Sequence, residues 1–174
     1  MIPEKIQAAF NEQIREEMES AYIYLSMAAY FESQGLEGMA TWMRSQTAEE
    51  VAHAMRFFDH ISERGGRVSL QGLKQPQAEW NSPLEAFQAA YKHEQYITQK
   101  IHELVDLATA ERDHPAHAML QWFVTEQVEE EASTSKIVEQ LERIGDSGNG
   151  LLMLDRELGR RPIGSGFAPP APEA

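Results

Sequence analysis

The sequence predicts an all-α fold, a four-helix bundle with one long crossover and a short fifth helix. Apolar residues recur at steps of three and four along four long segments, and this is the spacing of a helix face that packs against other helices. A long connection, residues 65–82, separates the second segment from the third. No segment shows a convincing alternation of apolar and polar residues, so no strand is predicted.

The first two helices are expected to be joined by a short turn, Gln34-Gly35-Leu36. The first begins near Pro3, a residue suited to a first helical turn, and ends at about Ser33. The second begins at about Glu37 and ends near Arg64. The connection 65–82 can span ~55 Å at about 3.3 Å per residue, whereas a helix of about 28 residues is ~42 Å long. It can therefore travel the full length of a bundle, as the long crossover connection of some four-helix bundles does.

The third and fourth helices carry clear start signals. Ser82 suits an N-cap position and is followed by proline at N1 and glutamate at N3, and this helix runs to about Glu111. Asp113-His114-Pro115 interrupts the chain, and the fourth helix then reaches about Ile144.

The remaining chain is predicted to add a short helix and a tail. A fifth helix is expected over residues 151–158, and the tail 159–174 is rich in proline, glycine and alanine and is predicted to be mobile. Residues 1–158 are therefore expected to form one domain.

Composition narrows the class of function. With 28 acidic and 15 basic residues, the formal net charge of −13 argues against nucleic acid or an anionic membrane as a partner and favours cations. The absence of cysteine excludes disulfides and thiolate-held iron–sulfur clusters. Because the N-terminus lacks a secretory signal pattern and no apolar run is long enough to cross a membrane, a cytoplasmic location is expected.

Each of the four long apolar faces is interrupted in its interior by one acidic residue. A histidine follows the second acid at i+3, and a glutamine precedes the fourth by one turn. Glu-x-x-His on a helix is the arrangement from which carboxylate dimetal sites are built in bundle interiors, because both side chains then share one face. The six residues are Glu17, Glu50, His53, Glu94, Gln127 and Glu130.

A structural role for these acids would require basic partners. For a single interrupted face, a buried ion pair would be the preferred interpretation, yet none of the four faces offers an interior lysine or arginine. An unpaired ionised carboxylate in a core costs many kcal/mol, and four that face one another also repel. Two divalent cations remove both penalties. Oxygen-rich ligation with an imidazole suits iron or manganese, so the sequence predicts a dimetal site.

The same residues resemble the ferroxidase centre of ferritins. In addition, Leu-Gln-Trp-Phe-Val-Thr-Glu-Gln-Val-Glu-Glu-Glu, residues 120–131, closely resembles bacterial non-haem ferritins. The resemblance covers residues 1–158, including the crossover and the fifth helix. It implies a hollow shell of about 24 identical chains that oxidises Fe(II) with O2 or H2O2 as electron acceptor and stores ferric mineral inside.

The resemblance also implies roles for individual residues. Glu17, Glu50 and His53 would hold the first iron, and Glu50 would bridge to a second iron held by Glu94 and Glu130. Gln127 would lie close by. Tyr24, one turn beyond Ala21, matches a tyrosine beside the family's centre that could hydrogen-bond a ligand or supply an electron, although a plain core tyrosine is the alternative. A third iron position would use Glu49, Glu126, Glu129 and Glu130, for which the alternative is a solvated acidic face.

At several positions this chain differs from other ferritin-like families, and these differences affect the expected cofactors and pore. Bacterioferritins carry a second Glu-x-x-His where this chain has Gln127 and Glu130, and they place the haem-ligating methionine where this chain has Val51, so haem is not expected. The acids that line the three-fold pore of animal ferritins correspond to His117 and Leu120. Two other classes remain open at this stage: a di-iron or di-manganese oxidase or catalase that acts on a small substrate, and a helical scaffold without a competent centre. The carboxylates on all four helices argue strongly against the scaffold.

Overall fold

A computed structural model describes residues 1–162, and this part of the chain contains helices and no strand. The all-α fold class is confirmed. The long helices pair as α1 with α2 and α3 with α4, and the fifth packs against α2 and α4. The helices are α1 Glu4–Ser33, α2 Glu37–Glu63, α3 Pro83–Ala110, α4 His114–Ile144 and α5 Gly148–Leu158.

The helix starts follow the capping signals of the sequence. Ser82 accepts a hydrogen bond from the backbone N–H of Glu85 at 3.1 Å, as the sequence predicts. Helix α5 begins at Gly148 rather than at residue 151, because Ser147 caps its first turn by accepting from the N–H of Gly150. Glycine has a poor helix propensity, so this first turn gives little signal in the sequence.

The crossover, residues 64–82, runs along α1 from one end to the other. Near the start of α1, Asn11 accepts a hydrogen bond from the backbone N–H of Ser69 at 2.7 Å. Near the end of α1, the ring of Trp80 packs edge-on against Tyr30 with 5.3 Å between the ring centroids. The connection therefore spans the length of the bundle, as predicted.

Two apolar clusters fill the bundle, one towards each end. One contains Phe31, Met39 and Phe87, and the other contains Phe10 and Phe57. Each cluster draws on all four long helices, so the clusters are separated along the bundle axis rather than between helix pairs. Buried polar side chains occupy the level between them, and these include the residues that interrupt the apolar faces.

Helix α5 is fixed to the start of α2. The carboxylate of Asp155 accepts a hydrogen bond from the backbone N–H of Met39 at 2.8 Å, which satisfies a free donor of the first turn. A Cβ at Gly38 would lie 1.7 Å from the carbonyl oxygen of Asp155, so only glycine permits this approach. Leu154 and Leu158 of α5 are buried in the apolar cluster that contains Phe31, Met39 and Phe87.

Of the tail that the sequence predicts to be mobile, residues 159–162 are described, and they pack against α2. The hydroxyl of Ser45 donates to the carbonyl oxygen of Pro162 at 3.0 Å. Residues 163–174 lie outside the described part of the chain. Within residues 1–162, no helix is long and apolar enough to cross a membrane.

Candidate metal centre

Helices α1 and α2 bring together three of the predicted ligands. Glu17, Glu50 and His53 are buried, and each offers an oxygen or nitrogen atom that lies within 4.8 Å of the others. One carboxylate oxygen of Glu17, Oε2, is buried without a hydrogen-bond partner among the described residues. A buried acceptor without a donor is costly, so this oxygen is well suited to a cation.

Helices α3 and α4 supply the opposite wall of the same layer. Glu94 is buried and accepts hydrogen bonds from the phenol of Tyr24 and from the side-chain amide of Gln127, the latter at 3.3 Å. Glu130 is also buried and accepts from the side-chain amide of Gln46 at 2.8 Å. These neutral donors orient the two carboxylates without cancelling their charge.

The interior carboxylates have no lysine or arginine partner in the described chain, and their pKa values are raised. No lysine or arginine within residues 1–162 forms an ion pair with any of the four interior carboxylates. Burial, reinforced by the charge of Glu50, raises the pKa of Glu17 to about 8. Burial likewise raises the pKa of Glu94 and of Glu130 to about 7, and that of Glu50 well above its usual range. The metal-free layer therefore holds protons near neutral pH, in place of the positive charge that cations would supply.

Tyr24 belongs to the apolar cluster of Phe31, Met39 and Phe87, and its hydroxyl reaches the carboxylate layer. Its side chain is fully buried, and its hydroxyl points at Glu94. Burial first, and then the charge of Glu94, raises the pKa of Tyr24 well above 10, so the phenol keeps its proton and remains a donor.

Gln127 also acts on Glu94 as a donor. Its amide nitrogen faces the carboxylate and the hydroxyl of Thr98, the latter at 3.2 Å.

A second group of acids lies beside the buried layer. His53, Glu126 and Glu130 offer atoms within 4.8 Å of one another. Glu49, Glu126, Glu129 and Glu130 line a cavity of about 540 Å³, together with Trp42 and Arg161 among others. Glu129 is exposed, whereas Glu49 and Glu126 are half-buried. The structure therefore gathers all four acids of the predicted third position around one space.

Sequence reasoning gave no role to several neighbours of the carboxylates. Gln13 donates to Glu17 at 2.9 Å, and Gln46 donates to Glu130. Gln13 lies four residues before Glu17 on α1, and Gln46 four residues before Glu50 on α2. A polar residue one turn before such a glutamate is therefore the sequence feature that could have indicated a hydrogen-bond donor. Arg161 lies in the predicted tail and carried no comparable signal.

A bundle in which four helices surround a buried layer of carboxylates with a Glu-x-x-His pair is the architecture of carboxylate-bridged dimetal proteins. Comparisons with known proteins define the family more narrowly. A family model described as a ferritin-like domain matches residues 7–144. The chain belongs to the ferritin family.

Individual relatives cover nearly the whole chain. A bacterial non-heme ferritin of Bacteroides fragilis is 43% identical over 161 residues, which are 92% of this chain and 100% of the relative. A bacterial non-heme ferritin of Escherichia coli O6:H1 is 40% identical over 90% of this chain and 94% of the relative. Among solved structures, an open pore ferritin from Archaeoglobus fulgidus is 53% identical and has a TM-score of 0.92, with 93% of this chain and 100% of that chain covered.

Proposed function

We propose that the buried carboxylate layer is the place where this ferritin oxidises Fe(II) before storing it as ferric iron. One observation carries the proposal: four interior carboxylates and one imidazole converge from all four long helices with no basic partner in the described chain. Bound cations would stabilise the ionised carboxylates of this layer, because they replace the protons that the carboxyls otherwise retain. Iron storage with ferroxidase activity is the function of the family to which the chain belongs.

The positions of the side chains support two iron sites. Glu17, Glu50 and His53 would bind the first Fe(II), since their ligand atoms already lie close together. Glu50 would bridge to the second Fe(II), which Glu94 and Glu130 would complete from the other side of the bundle. Gln127 and Tyr24 would hold Glu94 in place through the hydrogen bonds described above.

The reaction balances with either oxidant. Two Fe(II) ions lose one electron each, and one O2 takes up both electrons with two protons to give H2O2; when H2O2 is the oxidant, two electrons and two protons give two molecules of water. Because Tyr24 keeps its proton at neutral pH, it serves as a hydrogen-bond donor to Glu94, and supplying an electron to the oxidant is the other role that the resemblance implies.

Beside this pair, we assign a third and outer iron position to Glu49, Glu126, Glu129 and Glu130. The support is the shared cavity and the closeness of His53, Glu126 and Glu130. Because Glu130 borders both the buried layer and the cavity, an ion in the outer position would share a ligand with the second iron.

Assembly into a closed shell is the last part of the proposal, with 24 chains as the expected number. On α5, Leu152 is 53% exposed and Met153 is 73% exposed, although Leu154 and Leu158 are covered within the chain. Tyr22, Leu25 and Leu73 form a second exposed apolar area beside Val51. Apolar areas of this kind are covered in oligomers. The cytoplasmic location stays a prediction.

Two measurements on the parent protein test the proposal. Sedimentation should give a particle of about 24 chains, and a monomer or dimer at micromolar concentration would contradict the shell. Anomalous diffraction at the iron edge, from crystals soaked with Fe(II) without oxygen, should show two peaks on either side of the Glu50 carboxylate. A third peak near Glu49, Glu126 and Glu129 would be the outer position, whereas a single peak, or no peak within the carboxylate layer, would contradict the proposed centre.

A further inference from the structure

The short segment 160–162 places a guanidinium group in the acidic cavity beside the carboxylate layer. The guanidinium carbon of Arg161 lies 4.8 Å from the ring centroid of Trp42, and its Nη2 donates to Glu49 Oε2 at 2.6 Å. Pro162 is held by Ser45. Trp42, Ser45 and Glu49 are spaced by three and four residues along α2, so the segment follows one face of that helix.

The guanidinium of Arg161 has more hydrogen-bond donors than it has partners. Arginine has five N–H donors, and in the described chain the only acceptor that Arg161 reaches with its side chain is Glu49. Its Nη1 is buried without a hydrogen-bond partner among residues 1–162. The ion pair is also partly solvated, because the side chain of Glu49 is 40% exposed. Partly exposed ion pairs are weak and an unpartnered buried donor is unfavourable, so the contact can be exchanged for a stronger one.

A divalent cation in this cavity would offer that stronger interaction. Arg161 contacts Glu49 alone, whereas Glu126, Glu129 and Glu130 line the same space. An Fe(II) ion can bind several of these carboxylates at once. While the ion is bound to Glu49 Oε2, the guanidinium of Arg161 cannot donate its hydrogen bond to that oxygen. The two cations therefore compete for Glu49.

We propose that Arg161 determines the affinity of the outer iron position by holding Glu49 until an iron ion displaces it. This inference rests on the proposed function, because the outer position is part of that function. The displaced guanidinium remains nearby and returns to Glu49 when the ion leaves. The outer position is therefore weaker than the buried pair, fills after it and releases its iron more readily.

The test is an anaerobic calorimetric titration with Fe(II) of the assembled full-length protein. Arg161→Ala should tighten the outer position by roughly fivefold or more, since the competing contact is lost, and should leave the affinity of the buried pair unchanged. Arg161→Lys keeps the charge but not the planar group, so its outer affinity should lie between those of the parent and Arg161→Ala. Arg160→Ala is the matched control: Arg160 lines the same cavity with the same charge but makes no side-chain contact with Glu49 in the described chain.

A second measurement follows the segment itself. Amide hydrogen exchange of Arg160 and Arg161 should become faster when Fe(II) is added without oxygen, because displacement of Arg161 loosens the contact of the segment with α2. A purely structural role for Arg161 would leave this exchange independent of iron once the buried pair is full.

The outcomes separate the two proposals. If the parent and Arg161→Ala both bind only two Fe(II) per chain, the outer position does not exist and that part of the proposed function fails along with this inference. If the parent binds a third Fe(II) and Arg161→Ala leaves its affinity unchanged or weaker, competition is overturned while the outer position stands. If Arg160→Ala tightens the third Fe(II) as much as Arg161→Ala does, the general charge of the cavity is responsible and the inference is also overturned.

Discussion

Tyr24 on α1 donates its phenolic hydrogen to the carboxylate of Glu94 on α3, across the buried layer between the two apolar clusters. Both side chains are buried, and the hydrogen bond connects helices that are neighbours in space but not in sequence. It couples the orientation of Glu94, a proposed ligand, to Tyr24, which lies one turn beyond Ala21 on α1. The hydroxyl alone can be removed by mutation.

Tyr24→Phe should weaken the second Fe(II) position and spare the first. Glu94 would lose a donor to its charged form, and hydrogen bonds to charged groups contribute about 1.5–3 kcal/mol, so the affinity of the second Fe(II) should fall roughly tenfold or more. Anaerobic Fe(II) titration measures this change. Tyr96→Phe, which removes a comparable hydroxyl from a half-exposed hydrogen bond to Glu16 at 3.1 Å, is the matched control and should change neither position. Equal behaviour of the two variants would show that the hydroxyl of Tyr24 has no role at the centre.

Glu50→Ala should abolish rapid Fe(II) oxidation and leave the shell assembled. Glu50 is 2% exposed and lies where both proposed irons would need it, so its removal takes a ligand from each. It also removes a source of repulsion, because Glu94 and Glu130 add to burial in raising the pKa of Glu50. The metal-free variant should therefore melt no lower than the parent. Stopped-flow absorbance at low iron loading measures the rate, with Glu63→Ala at the exposed end of the same helix as control. Oxidation at the parental rate would contradict the assignment of the centre.

The metal-free protein should lose stability as pH rises, in a way that depends on Glu17. The pKa of Glu17 is about 8 in the folded protein against 4.5 as its ordinary value, because burial and Glu50 oppose ionisation. Between these two pH values the folded chain keeps a proton that the unfolded chain has released, so the free energy of unfolding decreases with increasing pH. Glu17→Gln resembles the protonated carboxyl and does not titrate.

In the presence of a chelator, the melting temperature of Glu17→Gln minus that of the parent should therefore increase from pH 5 to pH 9. Over this pH range, the difference in the free energy of unfolding between the two proteins should grow by an amount on the order of a few kcal/mol. Other titrating groups affect both proteins and largely cancel in the difference. A difference that stays constant over this range would show that Glu17 ionises freely in the folded state. When the chelator is omitted, saturating Zn²⁺ should abolish this pH dependence in the parent, because the metal replaces the proton on Glu17.

The features that the sequence predicted well are those that a single helix determines. The spacing of Glu50 and His53 on one helix face, and the cap at Ser82, depend on residues three or four positions apart, and the structure has both. The convergence of acids from four helices followed from placing each on an apolar face. The roles of these residues as ligands stay predictions until metal is measured.

The features that the sequence did not predict depend on contacts between distant parts of the chain. Arg161 reaches Glu49 across 112 positions, and nothing in the local pattern near residue 161 indicates that contact. Composition alone placed Arg161 in a mobile tail. Likewise, the tight approach of Asp155 to Gly38 is determined by how α5 packs on α2, so the glycine at the start of α2 gave no interpretable signal.

Glu130→Ala should weaken the second Fe(II) position far more than the first. Glu130 is buried and interacts with Glu94 across the layer. Its loss would also leave the side-chain N–H of Gln46 without an acceptor. The side-chain oxygen of Gln46 already lacks a partner in the described chain. The first position would keep Glu17, Glu50 and His53. Anaerobic titration should therefore fall from two tight Fe(II) and one weaker Fe(II) per chain towards one tight Fe(II), and paired oxidation should be lost.

Glu129→Ala is the control for this prediction, since it makes the same change at the neighbouring position. Glu129 is exposed and lines the outer cavity, so its removal should leave the buried pair intact and weaken only a third Fe(II). Glu130 borders both places, and Glu130→Ala should therefore affect the third Fe(II) as well as the second. If the two variants lost the same ions with the same change in affinity, Glu130 would not be a ligand of the buried pair, and the second iron would have to be assigned to Glu50 and Glu94 without it.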